Sequence, residues 1–272
     1  MREIVWANRV EIRERLEGII ETSLSTSPSR IIINWGDWGS GKTHAMLYFS
    51  SELFKGMIQE KLNAKFDFIS CAIHLPRPTT TGSMGKLLYQ EIVRTITIKT
   101  LQNVMALIRK ELIDKGYDDL QARKEIEEYL NSLTRRRELS KVLIRLLGKR
   151  PILERRFLFG ESLTPTELRK LGVIREIESI NDMLDAISLI TSLLTQPFGD
   201  LPEPYLETFI WIDENEALRD ISARDVFIFR SIIRDLLDYA PTDITALRNI
   251  YFEVKQPYST VEDELGRAVI SR

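Results

Sequence analysis

The sequence predicts an α/β fold, three layers built on a parallel sheet, with a large all-helical insertion between two motifs borne by the sheet. Three observations carry that prediction. Ile31, Ile32 and Ile33 form a short β-branched run suited to a buried parallel strand, and Gly36, Gly41, Lys42 and Thr43 follow at the spacing G-x-x-x-x-G-K-T. A second apolar run opens at Thr208 and ends in two carboxylates, Asp213 and Glu214. Thr43 and Asp213 are 170 residues apart, whereas one strand, two helices and their loops need about 50 to 70. The first two patterns read as Walker A and Walker B, and the surplus between them reads as an insertion. The fold class is therefore a three-layer P-loop NTPase, with 1–100 and 205–272 as the two halves of its core and 101–204 as the helical insertion.

The bulk properties permit this. A chain of 272 residues, 43% hydrophobic, can build a sizeable α/β core with an inserted segment. A formal charge of -2 provides no whole-protein field for nucleic acid or an anionic membrane, so any such contact must be local. A single cysteine, Cys71, excludes an internal disulfide, and with only His44 and His74 there is no Cys/His metal cluster. The first residues carry charge without a long apolar region, and no apolar run approaches the ~18 residues of a bilayer span. The expectation is a cytoplasmic protein with no membrane contact.

Taken in order, a helix opens near Asn8 and Arg9, with Val10, Ile12, Leu16, Ile19 and Ile20 broadly on one side. A polar turn over 25–29 leads into the first strand. The glycines after it let the backbone fold its N–H groups inward, an anion nest at the N-terminus of a helix that starts near Lys42. Gly36, Asp37, Trp38, Gly39, Ser40, Gly41, Lys42, Thr43 and His44 are the residues expected to hold ATP. Lys42 reaches the β- and γ-phosphates, and the Thr43 hydroxyl sits on Mg2+. Ala45, Met46, Leu47, Tyr48 and Phe49 continue the helix. Residues 65–74 form a second strand with Cys71 in the core. The loop over 75–82 carries Arg77 into solvent, and 84–100 form a helix.

From 101 to 195 the pattern is helical, broken by turn signals at Gly116, Gly148, Pro151, Gly160 and Gly172. Thr164, Pro165 and Glu167 make a capping box that opens one short helix. Pro202 and Pro204 return the chain to the core. Asp213 is expected to hold the Mg2+ shell and Glu214 to orient and deprotonate the attacking water, with Glu216 as the alternative base. Ser222 and Asp225 cap a helix that runs to about Tyr239, with Ile221 stapled on Val226. Residues 249–254 are the next strand, and Gln256 at its exit is the candidate γ-phosphate sensor, with Asn249 and Lys255 as alternatives. No N-K-x-D signature is present, which favours ATP over GTP.

One charged stretch stands out. Over 135–156 nine basic residues meet only Glu138 and Glu154, a local +7. Arg137, Lys141, Arg145 and Lys149 recur every fourth residue and form a helical stripe opposite Leu139, Val142, Leu143 and Leu146. Such a stripe either tracks the phosphates of DNA or RNA or is a solvated face paired with acids such as Glu125, Glu127 and Glu128.

The phosphate loop, the Asp213–Glu214 pair and the strand order they imply resemble the AAA+/STAND group of P-loop ATPases. Residues 156–174 and 209–218 are similar to the ATP-binding proteins of BREX-type phage-defence loci, relatives of origin-recognition ATPases. That resemblance implies that Asn8 and Arg9 lie beside the adenine and that an arginine finger comes from a neighbouring copy. Arg219, Arg224, Arg230, Arg234 and Arg248 are its candidates, with a homo-oligomer or multiprotein complex as the assembly. Only 259–272 follow the sensor strand, too few for the C-terminal helical lid of that group, so a lidless variant or a fragment is expected. The leading function is MgATP hydrolysis coupled to conformational change on a nucleic-acid or protein partner, in a DNA-associated or defence complex. The alternative is a nucleotide-controlled switch that hydrolyses slowly. A small-molecule kinase is less favoured, because Glu214 suits water as the acceptor.

Overall fold

A computed structural model of the chain describes residues 10–25, 30–34, 41–61, 68–148, 150–201, 207–213, 221–238 and 249–253, of which 23–25, 30–34, 207–208, 234–238 and 249–253 are given by their backbone. The strands are β1 (Arg30–Asn34), β2 (Phe68–His74), β3 (Glu207–Asp213) and β4 (Asn249–Glu253). The helices are α1 (Val10–Ser25), α2 (Lys42–Phe49), α3 (Glu52–Lys61), α4 (Met84–Ile96), α5 (Ile98–Asp114), α6 (Asp119–Leu133), α7 (Arg137–Arg145), α8 (Ile152–Leu158), α9 (Pro165–Leu171), α10 (Ile180–Thr195) and α11 (Ala223–Asp238).

All strand pairs are parallel, in the order β1-β4-β3-β2. The last of the described strands is thus threaded between β1 and β3. Register sets Asn34 beside Glu253 and His74 beside Asp213, so the strands finish along one edge. Strand alternation then divides the side chains between two faces. Phe68, Phe209 and Trp211 pack with Leu16 and Ile20 of α1, Met46, Tyr48 and Phe49 of α2, and Phe54 and Ile58 of α3. Phe49 stacks on Trp211 with ring centroids 5.5 Å apart, and the indole N–H, which needs a partner once buried, donates to Ser70 Oγ at 2.8 Å. Cys71, Ile73, Ile210 and Ile212 occupy the other face and join the core of α4, α10 and α11. Burial pushes the Cys71 thiol up to about 12, which makes it an inert core side chain.

The helices of 98–195 share that second core. Leu101 and Met105 of α5, Ile126 and Leu130 of α6, Leu139 and Leu143 of α7 and Phe157 of α8 are continuous with Ile210 and Ile212 of the sheet. Helix α10 is their axis and is buried over most of its length. Tyr89 of α4 fixes the arrangement by donating its hydroxyl to the Leu158 carbonyl at 2.5 Å.

Three local expectations are revised. Residues 84–100 are not one helix: α4 ends at Ile96, and Thr97 at φ 62 starts α5 by accepting the Thr100 N–H on its hydroxyl. No glycine or proline marks that break; the β-branched run over 95–98 is simply weak helix former, and a threonine at positive φ is held there by the packing on both sides. In α1, Val10 and Ile12 are exposed and only Leu16, Ile19 and Ile20 face the core, because contact begins in the second half of the helix. Finally, α7 stops at Arg145 and a turn follows, so its cationic stripe comprises Arg137, Lys141 and Arg145; Lys149 is outside the described residues. Among the described residues no helix is long and apolar enough to cross a membrane.

Candidate functional site

Open parallel sheets bind ligands in the loops that leave the carboxyl ends of their strands. Helix α2 follows β1 in the chain. Gly41 precedes it at φ 87, in the left-handed region that an L side chain resists, so glycine is required by the backbone itself. Ala45, Met46, Tyr48 and Phe49 bury the inner side of α2, which leaves Thr43 and His44 exposed and Lys42 half-buried in its first turn. Gly36, Asp37, Trp38, Gly39 and Ser40 lie outside the described residues.

Asp213 closes β3 and is 4% exposed. Its carbonyl accepts the Leu75 N–H at 2.9 Å, and its Oδ2 lies 3.8 Å from His74 Nδ1. The sequence alone does not single out His74, because its pairing with Asp213 depends on a parallel register between segments far apart in the chain. Glu214, Glu216, Gln256, Lys255, Asn8 and Arg9 lie outside the described residues, and Asn249 is described by backbone alone. Helix α2 packs against β3, with Phe49 at its C-terminal end stacked on Trp211. Among the described residues no group of three His, Cys, Asp or Glu could hold a metal alone. A hydroxyl, one carboxylate, phosphate oxygens and water do suit Mg2+, which keeps much of its hydration and takes few protein ligands.

The loop leaving β2 is held by a device that the sequence half reveals. Asp225, 1% exposed, caps its own helix with Ser222 and also reaches across 143 residues to Gly82. Both its oxygens accept the Gly82 N–H at 2.9 Å, and Oδ1 accepts the Met84 N–H at 3.0 Å. It thus caps α4 in trans, where Ser83 offers no side-chain cap of its own. Burial alone would raise this carboxyl; the bonds from Ser222, Gly82 and Met84 and the charge of Arg224 outweigh it and hold it below the ordinary carboxylate value. Asp225→Ala is expected to cost about 3 kcal/mol at neutral pH, measured by urea unfolding. Because the folded value is depressed, the stabilisation exists above the unfolded value of 3.8 and is lost as pH falls through the lower folded value. The gap between variant and wild type should therefore close in acid; equal stability at pH 7 would show that the clamp contributes nothing.

Among the finger candidates, Arg224 lies against Gly82, with its Nε 3.4 Å from where a Cβ would stand. Arg230 is half-buried on α11; Arg219 and Arg248, and the Arg234 side chain, are outside what is described. Compared with models of protein families, with curated proteins and with solved structures, the chain finds no match.

Proposed function

We propose that this chain is a P-loop ATPase of AAA+/STAND type, which binds MgATP, hydrolyses it and passes the resulting conformational change to a partner. The observation that carries the reading is the succession along the chain: β1, the G-x-x-x-x-G-K-T sequence, a left-handed Gly41, and α2 beginning at Lys42. The strand order adds support, because β4 between β1 and β3 leaves the acid-bearing strand one position away from the motif. The N-terminal end of a helix such as α2 carries partial positive charge, which suits a polyanion. Lys42 neutralises phosphate charge, Thr43 and Asp213 would hold Mg2+, and Glu214 takes the proton of water. Bound Mg2+ draws charge from the phosphate oxygens and so eases attack. Gln256 serves as sensor on the same reading.

Incubation with MgATP and analysis of all products tests this. Free phosphate at a steady rate is expected, with ATP preferred over GTP. Tight ATP retention without turnover would favour the switch reading, phosphate on a third molecule a kinase, and no nucleotide binding by calorimetry would overturn the assignment.

A further inference from the structure

Residues 170–176 run beside α7, pinned at both ends. At the helix C-terminus Arg145 Nη1 donates to the Lys170 carbonyl. At its N-terminus Arg136 Nη2 donates to the carbonyls of Arg175 at 3.0 Å and Glu176 at 3.3 Å, while the Ile174 N–H donates to Glu138 at 2.9 Å. The strap is therefore antiparallel to the helix.

This arrangement sorts the local charges. Arg136, its side chain 9% exposed, lies with Glu138 at 3.4 Å and Asp182 at 3.1 Å. Arg175 shares Asp182 at 2.8 Å, and Arg156 takes Glu161 at 3.2 Å and Glu167 at 2.6 Å. Two of the nine basic residues are thus consumed internally, and the acids that consume them are not Glu125, Glu127 or Glu128. What faces solvent is cationic: Arg137, Lys141 and Arg145 from α7, and Arg169 and Lys170 from the last turn of α9. Among the described residues Arg137, Lys141, Arg169 and Lys170 make no ion pair.

We infer that this composite face of α7 and the end of α9 binds the phosphate backbone of a nucleic acid. Successive cations four residues apart on α7 advance by about 6 Å, a spacing that can follow consecutive phosphates of one strand. Neither α7 nor the strap carries an aromatic side chain, so bases are neither stacked nor read and recognition is independent of sequence. A net charge of -2 means that attraction must come from this face and not from the chain as a whole. The inference stands apart from the nucleotide reading, since it requires no ATP.

The test is anisotropy of labelled duplex DNA, single-stranded DNA and single-stranded RNA with the full chain, without nucleotide, over a salt series. Five phosphate contacts predict a log–log salt slope of about -4.5 on duplex and about -3.5 on single strands, which separates the two targets. The combined variant Arg137→Glu, Lys141→Glu, Lys170→Glu should bind at least tenfold more weakly, with a slope shallower by about 3. These side chains are exposed and unpaired; the milder Gln versions, which keep the fold by the same reasoning, should flatten the slope equally. A control reversing Arg15, Lys99 and Lys110 to Glu changes net charge by the same amount and should bind as wild type. No binding at low salt, variants that bind as well as wild type, equal loss in the control, or equally tight binding of poly-glutamate would each overturn the proposal, the last in favour of an acidic protein partner.

Discussion

Lys42→Ala is expected to abolish MgATP binding at micromolar protein while the fold is kept. The lysine's role on the proposed reading is a charge-assisted contact to the phosphates, and losing such a contact from an enclosed site costs on the order of 3 to 5 kcal/mol. At 1.4 kcal/mol per decade, affinity should fall by about two to three and a half orders of magnitude. The helix should not suffer. Lys42 stands in the first turn of α2, outside the buried set of Ala45, Met46, Tyr48 and Phe49, and alanine is the better helix former. Calorimetry decides the affinity, and a melting curve without nucleotide decides the fold. Wild-type affinity in the variant would remove the phosphate-loop assignment.

Glu214→Gln is expected to bind MgATP as wild type does and to hydrolyse it about 10²- to 10⁴-fold more slowly, since an amide keeps the shape but accepts no proton. Asp213→Asn should behave differently. Asp213 is a buried carboxylate beside His74, and losing its charge removes attraction for a divalent cation, so the Mg2+ dependence of binding should shift. Binding titrations at several Mg2+ concentrations, paired with single-turnover rates, separate the two roles. Identical behaviour of the variants would mean that the two carboxylates do not divide the work as proposed.

What could be read in the sequence was what short-range chemistry dictates. The strand from Phe68 to His74 and the one that ends at Asp213 announce themselves as apolar runs, because a strand covered on both faces leaves no polar alternation. The capping box of Thr164 and Glu167 was legible for the same reason: both partners belong to one turn. Asp225 was readable only as the cap of its own helix. Its grip on Gly82 and Met84 joins positions more than a hundred residues apart, and no local pattern encodes that. Arg136 is the same case. Within a run of like charges nothing distinguishes it from Arg137, yet one is enclosed by Asp182 and Glu138 and the other faces water. The direction of a side chain in such a run is set by what packs beneath the helix.

The pairing of β2 with β3 also has a kinetic side. Phe68 lies beside Glu207, so the first rung of this ladder closes a loop that contains every helix from α4 to α10. Closing so long a loop is entropically costly until its interior has condensed, and parallel pairing of distant segments is slow for that reason. Helices α5 to α10 make mostly near-neighbour contacts and can gather first, giving a nucleus onto which β3 docks. During synthesis the delay is built in: the ribosome must finish the whole helical segment before β3 exists, so β2 waits with an unpaired edge while the helices that will cover it are being made.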